Sequence, residues 1–393
     1  MKTPGMQLDT LIFDPSPCGF PKPRIPLLPT GLDGLSLKAH PTWAPAGHFR
    51  HFTRGRYALR EAYRLAGISP GSTLLAPAYH CRTMLDPTLA LGGDVLLYPL
   101  RPNLSPDLAA LDALANRSSA PIKALLATHY FGIPQDFAPL ADWCTERSIT
   151  LVEDCSHAFF CEHHRPAGIG SFGAFVVSSP YKFLPSPDGG LLYARTAKHL
   201  DDILTRAPSW VAELRGLANA WQKAQAQTAC DTNSIDAKIA ALIAQPTLPA
   251  NDVRQFDGWS TDYHPAEAGL SALRGSRMIW RHADTPAIAQ RRRESYRRWS
   301  AATMNLPYCR PVFPELPEGC IPYMFPLRIE HPESHFSLLK RLGVPIFRWD
   351  SIAASDCPTA NDYRLHLLHL PCHQSLTENQ LDWMITAIQK SRR

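Results

Sequence analysis

The sequence lacks any apolar run that approaches the roughly 18 consecutive residues needed to cross a membrane. It also lacks a C-x-x-C pair, although it contains ten cysteines. Its first residues, MKTPGMQLDTLIFDPSP, include an early acidic residue and no long apolar stretch, so we do not expect a secretory signal. The cysteines are then best interpreted as reduced thiols, and the sequence predicts a cytoplasmic protein.

Charge is also sparse. Charged residues make up 19% of the chain, the net charge is +5, and the densest basic cluster is RRRESYRR at 291–298. A solvated helix face explains this cluster more simply than contact with nucleic acid. Cys161, His163 and His164 lie close together, but a metal site would need a second pair of ligands nearby. We therefore expect no nucleic acid, membrane or metal partner.

The length predicts two lobes, because 393 residues exceed the usual size of one domain. The first 45 residues are rich in proline, and we expect 1–45 to be an irregular N-terminal arm. Residues 46–255 are predicted to form a large α/β domain that includes a helical extension at 197–248. Residues 256–393 are predicted to form a small α+β domain.

Short apolar runs alternate with helical patterns in the first predicted domain. These runs are TLLA (73–76), VLLY (95–98), IKALLAT (122–128), ITLVED (149–154), AFVVS (174–178) and GLLY (190–193). Apolar strands joined by helical crossovers are typical of a mostly parallel α/β sheet. Ligands of such sheets collect at the carboxyl ends of the strands, so the residues that follow each run are candidates for function.

Two ionisable residues stand at such strand ends. Asp154 ends the run ITLVED, and Lys182 follows the run AFVVS. A carboxylate at the tip of a buried strand is costly unless a partner compensates its charge. The two residues alone are compatible with a simple salt bridge or with a catalytic amine and acid that face one ligand.

An anion-binding site is predicted beside this pair. Gly55 stands at the start of a helical pattern over 53–67, where amide groups and the helix dipole favour a phosphate. Arg56 offers a charge-assisted contact, and the hydroxyls of Ser178 and Ser179 lie shortly before the lysine.

Four segments, in this order, carry a family resemblance. They are HYFG (129–132), VEDCSHAF (152–159), GSFGAFVVSSPYKFLPSPDGG (170–190) and LLHLPCHQSLTENQLDWM (367–384). They resemble motifs of the DegT/DnrJ/StrS family of fold-type-I pyridoxal-5′-phosphate (PLP) enzymes, which are best known as nucleotide-sugar aminotransferases. In the same order, the family motifs are H-x-x-G, E-D-(A/C)-x-(Q/H)-A, G-x-x-G…S-F-x-P-x-K…G-E-G-G and L-P-x-H-x-x-L-T-x-x-(D/E). The resemblance runs from about Gly55 to the C-terminus. It implies a large lobe with a mainly parallel seven-stranded sheet and a small C-terminal α+β lobe.

The resemblance also implies roles for individual residues. Lys182 would be the Schiff-base anchor and the proton carrier, and Asp154 would pair with the pyridine nitrogen of PLP to keep the ring an electron acceptor. His157 would lie near the ring hydroxyl and the phosphate. Gly55 and Arg56 would contact the phosphate.

The chain departs from the family pattern at several positions. The S-G-T of the phosphate helix reads RGR at 54–56, and the serine five residues before the lysine is Val177, which leaves Ser178 or Ser179 for the phosphate. The P-x-x-T-(F/Y) segment reads PAYHC at 77–81.

Either Tyr79 or His80 could then stack on the ring. The N-x-R segment that reaches the partner subunit's phosphate is not visible, and Arg274, Ser276 or Arg277 in SALRGSR (271–277) could substitute for it. A solvated helix face explains that segment equally well.

The function that the resemblance implies is transamination, from an amino-acid donor to a keto or aldehyde acceptor such as a sugar or a secondary-metabolite intermediate. A homodimer with shared active sites is expected. His129, Tyr181 and Arg348 are candidates for contact with the substrate. Two alternatives remain open: a PLP-dependent lyase, dehydratase or condensing enzyme, and a regulatory or scaffold protein with a degenerate site.

Overall fold

The structure, a computed structural model, describes residues 8–31, 33–38, 48–158, 169–225, 230–245, 251–255 and 258–391. The sequence cluster of Cys161, His163 and His164 lies outside these residues. Across the described ranges, no helix combines the length and the apolarity required to cross a membrane.

Strands and helices alternate along most of the described chain. The strands are β1 (Thr10–Asp14), β2 (Phe49–Phe52), β3 (Thr73–Pro77), β4 (Asp94–Tyr98), β5 (Ile122–Thr128), β6 (Thr150–Asp154), β7 (Phe175–Ser178), β8 (Gly190–Ala194), β9 (Asn251–Gln255), β10 (Cys309–Pro311), β11 (Met324–Ile329), β12 (Ile352–Ala353) and β13 (Leu367–Pro371). The helices are α1 (Gly55–Leu65), α2 (Arg82–Ala90), α3 (Leu108–Ala115), α4 (Ala138–Glu146), α5 (Trp210–Gln225), α6 (Ile235–Ile243), α7 (Arg274–Arg281), α8 (Thr285–Thr303), α9 (Pro332–Leu342), α10 (Pro358–His366) and α11 (Glu378–Lys390).

Seven strands form the central sheet in the order β2-β8-β7-β6-β5-β3-β4. Neighbours from β4 to β7 are parallel, and β8 is antiparallel to both β7 and β2. The mainly parallel seven-stranded sheet expected from the sequence is confirmed. Every residue of β3 and β7 is buried, which is why these strands read as uninterrupted apolar runs rather than as alternating patterns.

The carboxyl ends of three central strands meet at one edge of the sheet. Thr128 of β5 pairs in register with Asp154 of β6, and Asp154 pairs with Val177 of β7. Because parallel strands end together, the residues that follow them are brought side by side. The amino end of α1 reaches the same edge, since Arg54 forms an isolated parallel bridge to Gly189.

The second lobe is built on a three-stranded antiparallel sheet in the order β10-β11-β13. Its apolar core includes Trp299 of α8, Phe325 of β11 and Trp383 of α11, all fully buried. Helix α11 begins with a reciprocal capping box between the side chains and main chains of Thr377 and Gln380.

The N-terminal arm is not irregular throughout. Within the segment 1–45, Thr10–Asp14 forms β1, which lies between β9 and β12 in a separate antiparallel sheet. The expectation of an irregular arm is therefore wrong for these five residues. Both partners of β1 lie hundreds of residues away in the chain, so the pairing is set by tertiary structure.

The segment VPIFR (344–348) precedes β12 and forms no strand of its own. Phe347 makes an isolated bridge with His369 of β13, and their main chains exchange hydrogen bonds of 2.7 and 3.2 Å. This short contact holds the segment before β12 against the carboxyl edge of the central sheet, where it contributes to the site described below.

Candidate active site

A cavity of about 260 Å³ lies at the carboxyl edge of the central sheet. Lys182 and Asp154 both line it, together with Gly55 at the start of α1. The edge of the sheet therefore brings the amine, the carboxylate and the helix terminus to one hollow.

Asp154 is held rigidly in this hollow. It ends β6, its side chain accepts a hydrogen bond from the amide of Ser156 (2.8 Å), and its carbonyl oxygen accepts one from the amide of His129 (3.1 Å). The residue is 4% exposed. No cation among the described residues pairs with this carboxylate, and a carboxylate buried to this degree favours a ligand that presents a positive charge or an N–H group.

Lys182 sits in a single 3₁₀ turn that follows β7, Pro180–Lys182. The turn is closed by a hydrogen bond from the amide of Lys182 to the carbonyl oxygen of Ser179 (3.1 Å). The amine Nζ lies 5.5 Å from the centre of the Tyr323 ring. The lysine is half-buried and lies against an aromatic face.

The amino end of α1 forms an anion seat with two hydroxyl groups. Ser156 and Ser179 line the cavity beside Gly55, and the hydroxyl of Ser179 donates to that of Ser156 (3.0 Å). A Cβ at position 55 would overlap Ser179 Oγ, so glycine allows this hydroxyl to approach the helix terminus closely. The amides and dipole of α1 favour an anion at this point.

Of the two serines predicted for the phosphate, Ser179 is the one that lines the cavity. The hydroxyl of Ser178 is buried and has no hydrogen-bond partner among the described residues. Ser156 was missed by the sequence analysis, although its place two residues after Asp154 was a usable signal.

Two arginines flank the anion seat and are fixed by other contacts. Arg54 donates to the carbonyl oxygen of Pro187 (3.0 Å), and its guanidinium stacks over the ring of Tyr181, 5.0 Å from the centroid. Arg56 donates to the carbonyl oxygen of Asp262. Both arginines and Tyr181 line the cavity, so positive charge surrounds the seat.

An aromatic and imidazole wall closes the other side of the cavity. His157 stacks on Tyr323 with ring centres 4.3 Å apart, and Trp349 lies 5.6 Å from His157. The Nδ1 atom of His157 accepts the amide of Phe131 (3.3 Å), which leaves the proton on Nε2. Burial and the nearby charge of Lys182 hold the pKa of His157 well below its ordinary value, so this imidazole is neutral.

His369 of β13 completes the wall. It shares a 2.9 Å hydrogen bond with the hydroxyl of Tyr79, and burial, together with the charge of Lys182, lowers its pKa to about 3. Tyr323, Trp349 and His369 come from the second lobe and were not assigned to the site from the sequence. Their apolar neighbours in the chain gave no signal that separated them from core residues.

Neither residue proposed to stack on a ring lies in the cavity wall. Tyr79 and His80 are completely buried, and Nε2 of His80 accepts the amide of Ala353 (3.1 Å), while the neighbouring Cys81 lines the cavity. A cofactor contact by His80 is therefore not supported. The turn before α2 presents the following position, Cys81, to the hollow.

Two of the substrate candidates are also placed elsewhere. His129 is fully buried beneath the sheet edge and pairs with Glu153 (2.8 Å). Arg348 stacks its guanidinium over Phe336, 3.6 Å from the ring centre, and contacts Asp350 (3.3 Å). A substrate contact by His129 or Arg348 is not supported, because each is engaged in packing outside the cavity. Tyr181 does line it.

The segment considered as a substitute for the missing N-x-R is partly used inside the chain. Ser276 is fully buried and donates its hydroxyl to Asp188, which also accepts the amide of Leu273 (3.1 Å). Asp188 thus holds the beginning of α7 against the turn that follows Lys182. Ser276 is not available to a partner subunit.

Arg292 contradicts the expectation of a solvated helix face at 291–298, because its side chain is completely buried. It donates to the carbonyl oxygens of Lys182 (3.3 Å), Pro322 (3.1 Å) and Tyr323 (3.1 Å) and to the side chain of Gln374 (3.0 Å). Burial lowers its pKa to about 10, and the guanidinium stays charged at neutral pH. It fixes the turn of Lys182 to the second lobe.

A larger cavity of about 820 Å³ adjoins the first. The two share part of their lining, including Leu27, Leu28 and Tyr181. The basic residues that line the larger cavity are Lys22, Arg24, Arg54, Arg56 and Lys223. No aspartate or glutamate is among its described lining residues, so this outer cavity favours an anionic ligand.

Comparison with known proteins is consistent with this geometry. Among curated proteins, the dTDP-4-dehydro-2,3,6-trideoxy-D-glucose 4-aminotransferase of Saccharopolyspora spinosa is 29% identical over 143 residues, which are 36% of this chain and 36% of that protein. The stretches aligned with the curated relatives span 32–36% of the length of those proteins.

Solved structures share the fold over most of the chain. PseC of Helicobacter pylori, an aminotransferase involved in pseudoaminic acid biosynthesis, has a TM-score of 0.62 and 14% identity, with 89% of this chain and 88% of that chain covered. NtdA of Bacillus subtilis, solved with the cofactor PMP bound, has a TM-score of 0.57 and 14% identity, with 87% and 73% covered. The model of the DegT/DnrJ/EryC1/StrS aminotransferase family matches residues 44–243, and the chain belongs to that family.

Proposed function

We propose that the protein is a PLP-dependent aminotransferase that moves an amino group from an amino-acid donor to a keto or aldehyde acceptor. The observation that carries this proposal is the cavity in which Lys182 and Asp154 face one hollow beside the anion seat of α1. Family membership supports the same chemistry.

The donor set fits PLP. The phosphate would be held at the amino end of α1 by Gly55, Ser156 and Ser179, because the absence of a Cβ at Gly55 lets the Ser179 hydroxyl lie against the helix terminus. Asp154 would hold a proton on the pyridine nitrogen, and Lys182 would anchor the cofactor through its amine. PLP, when bound, supplies an electron sink for the electrons released when a bond next to the amino nitrogen breaks.

The chain's own groups would then orient substrates and move protons. The Nζ amine of Lys182 would accept the proton that the amino-bearing carbon of the donor releases and would later give it back. His157 would remain neutral, since its pKa is held well below the ordinary value, and would not compete for this proton. The wall of Tyr323 and Trp349 would limit the access of water to the amine.

The outer cavity supports an acceptor that carries an anionic group, because five basic side chains line it and adjoin the lysine cavity. We also propose that residues 46–255 form the cofactor-binding lobe and 256–393 the lobe that supplies Tyr323, Trp349 and His369. The active protein is proposed to be a homodimer.

A trapping experiment tests the proposal. Purified protein is incubated with PLP and reduced with borohydride, and peptide mass mapping is expected to find the cofactor on Lys182. Glutamate and glutamine are then offered as donors, with conversion followed by absorbance. Lys182→Ala should keep its fold, lose the trapped product and lose at least about 100-fold in turnover.

Lys198→Ala is the matched control, since Lys198 is exposed on a neighbouring 3₁₀ turn. Label on Lys182 without conversion by any donor would favour the lyase or condensing alternative. A protein that takes up no PLP would overturn the proposal.

A further inference from the structure

Helix α5 carries an exposed apolar stripe that nothing in the described chain covers. The stripe consists of Trp210, Leu214, Leu217 and Trp221, whose exposed fractions are 74%, 67%, 54% and 69%. Steps of four, three and four residues place all four side chains on one face of the helix.

A different face of α5 is docked firmly on the protein. Glu213 is buried and accepts the amide of Arg274 (2.7 Å) at the start of α7, and Gly216 lies against the side chain of Leu273. The stripe is therefore held in a fixed orientation and is not a frayed helix that packs elsewhere.

The stripe has the composition of an interface centre. Two tryptophans exposed by about 70% offer on the order of 300 Å² of surface, to which the leucines add. The guanidinium of Arg274 lies 5.4 Å from the Trp210 ring, and Met278, one turn further along α7, is 55% exposed. Stable interfaces bury about 800 Å² from each partner, with tryptophan and arginine as frequent anchors.

The order of residues in the stripe identifies the occupant. Read in either direction, it is Trp, Leu, Leu, Trp with the same steps of four, three and four. Two copies of α5 that cross antiparallel about a two-fold axis would set Trp210 against the partner subunit's Trp221, and Leu214 against the partner subunit's Leu217. A two-fold contact requires one patch to complement itself, and this pattern does so.

We propose that α5 is the surface through which two copies of this chain pair, with their α5 helices antiparallel. The inference names the contact of the homodimer proposed above, and it rests on that part of the proposed function. Ala220 and Lys223 of α5 also line the outer cavity, so the paired copy would lie at the mouth of that cavity.

Light scattering after size-exclusion chromatography tests the pairing on the full chain. The wild type is expected to be a dimer at micromolar concentration, and Leu217→Glu and Trp221→Glu are expected to weaken pairing by at least about 30-fold. Met304→Glu is the control, because Met304 is 51% exposed at the end of α8, outside the stripe. Circular dichroism should find all the variants folded, since the altered side chains are exposed.

Cross-linking tests the antiparallel arrangement. A Leu214→Cys, Leu217→Cys double variant is oxidised, and peptide mapping is expected to find 214 joined to 217 between copies. A dimer that survives Leu217→Glu, or one joined 214 to 214, would overturn the inference. An active monomer would also overturn it while leaving the proposed chemistry intact, whereas a stripe-dependent dimer that binds no PLP would refute the chemistry alone.

Discussion

Replacing Glu153 by glutamine should destabilise the protein strongly, although the change removes no volume. Glu153 is completely buried, and one of its oxygens accepts the amides of Phe172 (3.0 Å) and Gly173 (2.9 Å). The other oxygen accepts hydrogen bonds from Nε2 of His129 (2.8 Å) and from the amide of Gly170.

The tautomer of His129 cannot relieve the substitution. Nδ1 of His129 accepts the amide of Gln135 (3.0 Å), so Nε2 carries the proton and must donate. Whichever way the new amide turns, its NH₂ group faces two N–H donors that lose their acceptor. Each buried unsatisfied donor costs about 1–3 kcal/mol, so Glu153→Gln should cost about 3–5 kcal/mol.

Urea unfolding measures this cost as a fall in the free energy of unfolding. Glu146→Gln is the matched control, because the Glu146 side chain is 74% exposed and its pairing with Arg147 (3.6 Å) is worth little. It should change stability by less than about 0.5 kcal/mol. A Glu153→Gln variant within 1 kcal/mol of the wild type would refute the hydrogen-bond account.

Three further predictions concern pH, the anion seat and a helix end. The pKa of His369 is lowered from 6.5 in the unfolded chain to about 3 in the fold, so its contribution to stability is complete above pH 6.5 and is lost as the pH falls toward 3. The free energy of unfolding, measured between pH 6.5 and 4, should therefore fall less steeply with decreasing pH in His369→Gln than in the wild type. Gly55→Ala should weaken PLP binding at least about tenfold in a fluorescence titration, whereas Gly258→Ala, where a Cβ meets open space, should bind PLP as the wild type does. Thr377→Ala should cost about 1 kcal/mol in urea unfolding, and an unchanged midpoint would argue against the capping box.

The central sheet could be predicted because its strands are buried on both faces. Runs such as IKALLAT and AFVVS, which contain β5 and β7, are apolar apart from Lys123 and the last residue of each run, and that local signal does not depend on distant partners. The positions of Lys182 and Asp154 at one cavity follow from the same cause, because parallel strands end at one edge.

The residues that the sequence analysis missed depend on contacts between distant parts of the chain. Tyr323, Trp349 and His369 reach the cavity only when the second lobe packs on the sheet edge. β1 likewise forms only because β9 and β12 come beside it. No periodicity within a few residues encodes such contacts.

The position that faces the cavity in the segment 77–81 was missed by one or two residues. Tyr79 and His80 were considered and Cys81 was not, because the side-chain directions in a turn before a helix follow no simple period. Cys81 stands where the family pattern has an aromatic residue, and its small thiol takes up less of the cavity than an aromatic ring would.

The bonds of Arg292 have a consequence for motion. The guanidinium joins the main chain of Lys182 to the main chain of Tyr323, and these belong to the two lobes. If the second lobe rotates when a substrate enters, the pivot must lie near this arginine, because any swing centred elsewhere would stretch several charge-assisted bonds together. Lys182 would then stay nearly stationary, while the parts of the second lobe that lie far from Arg292 would move most.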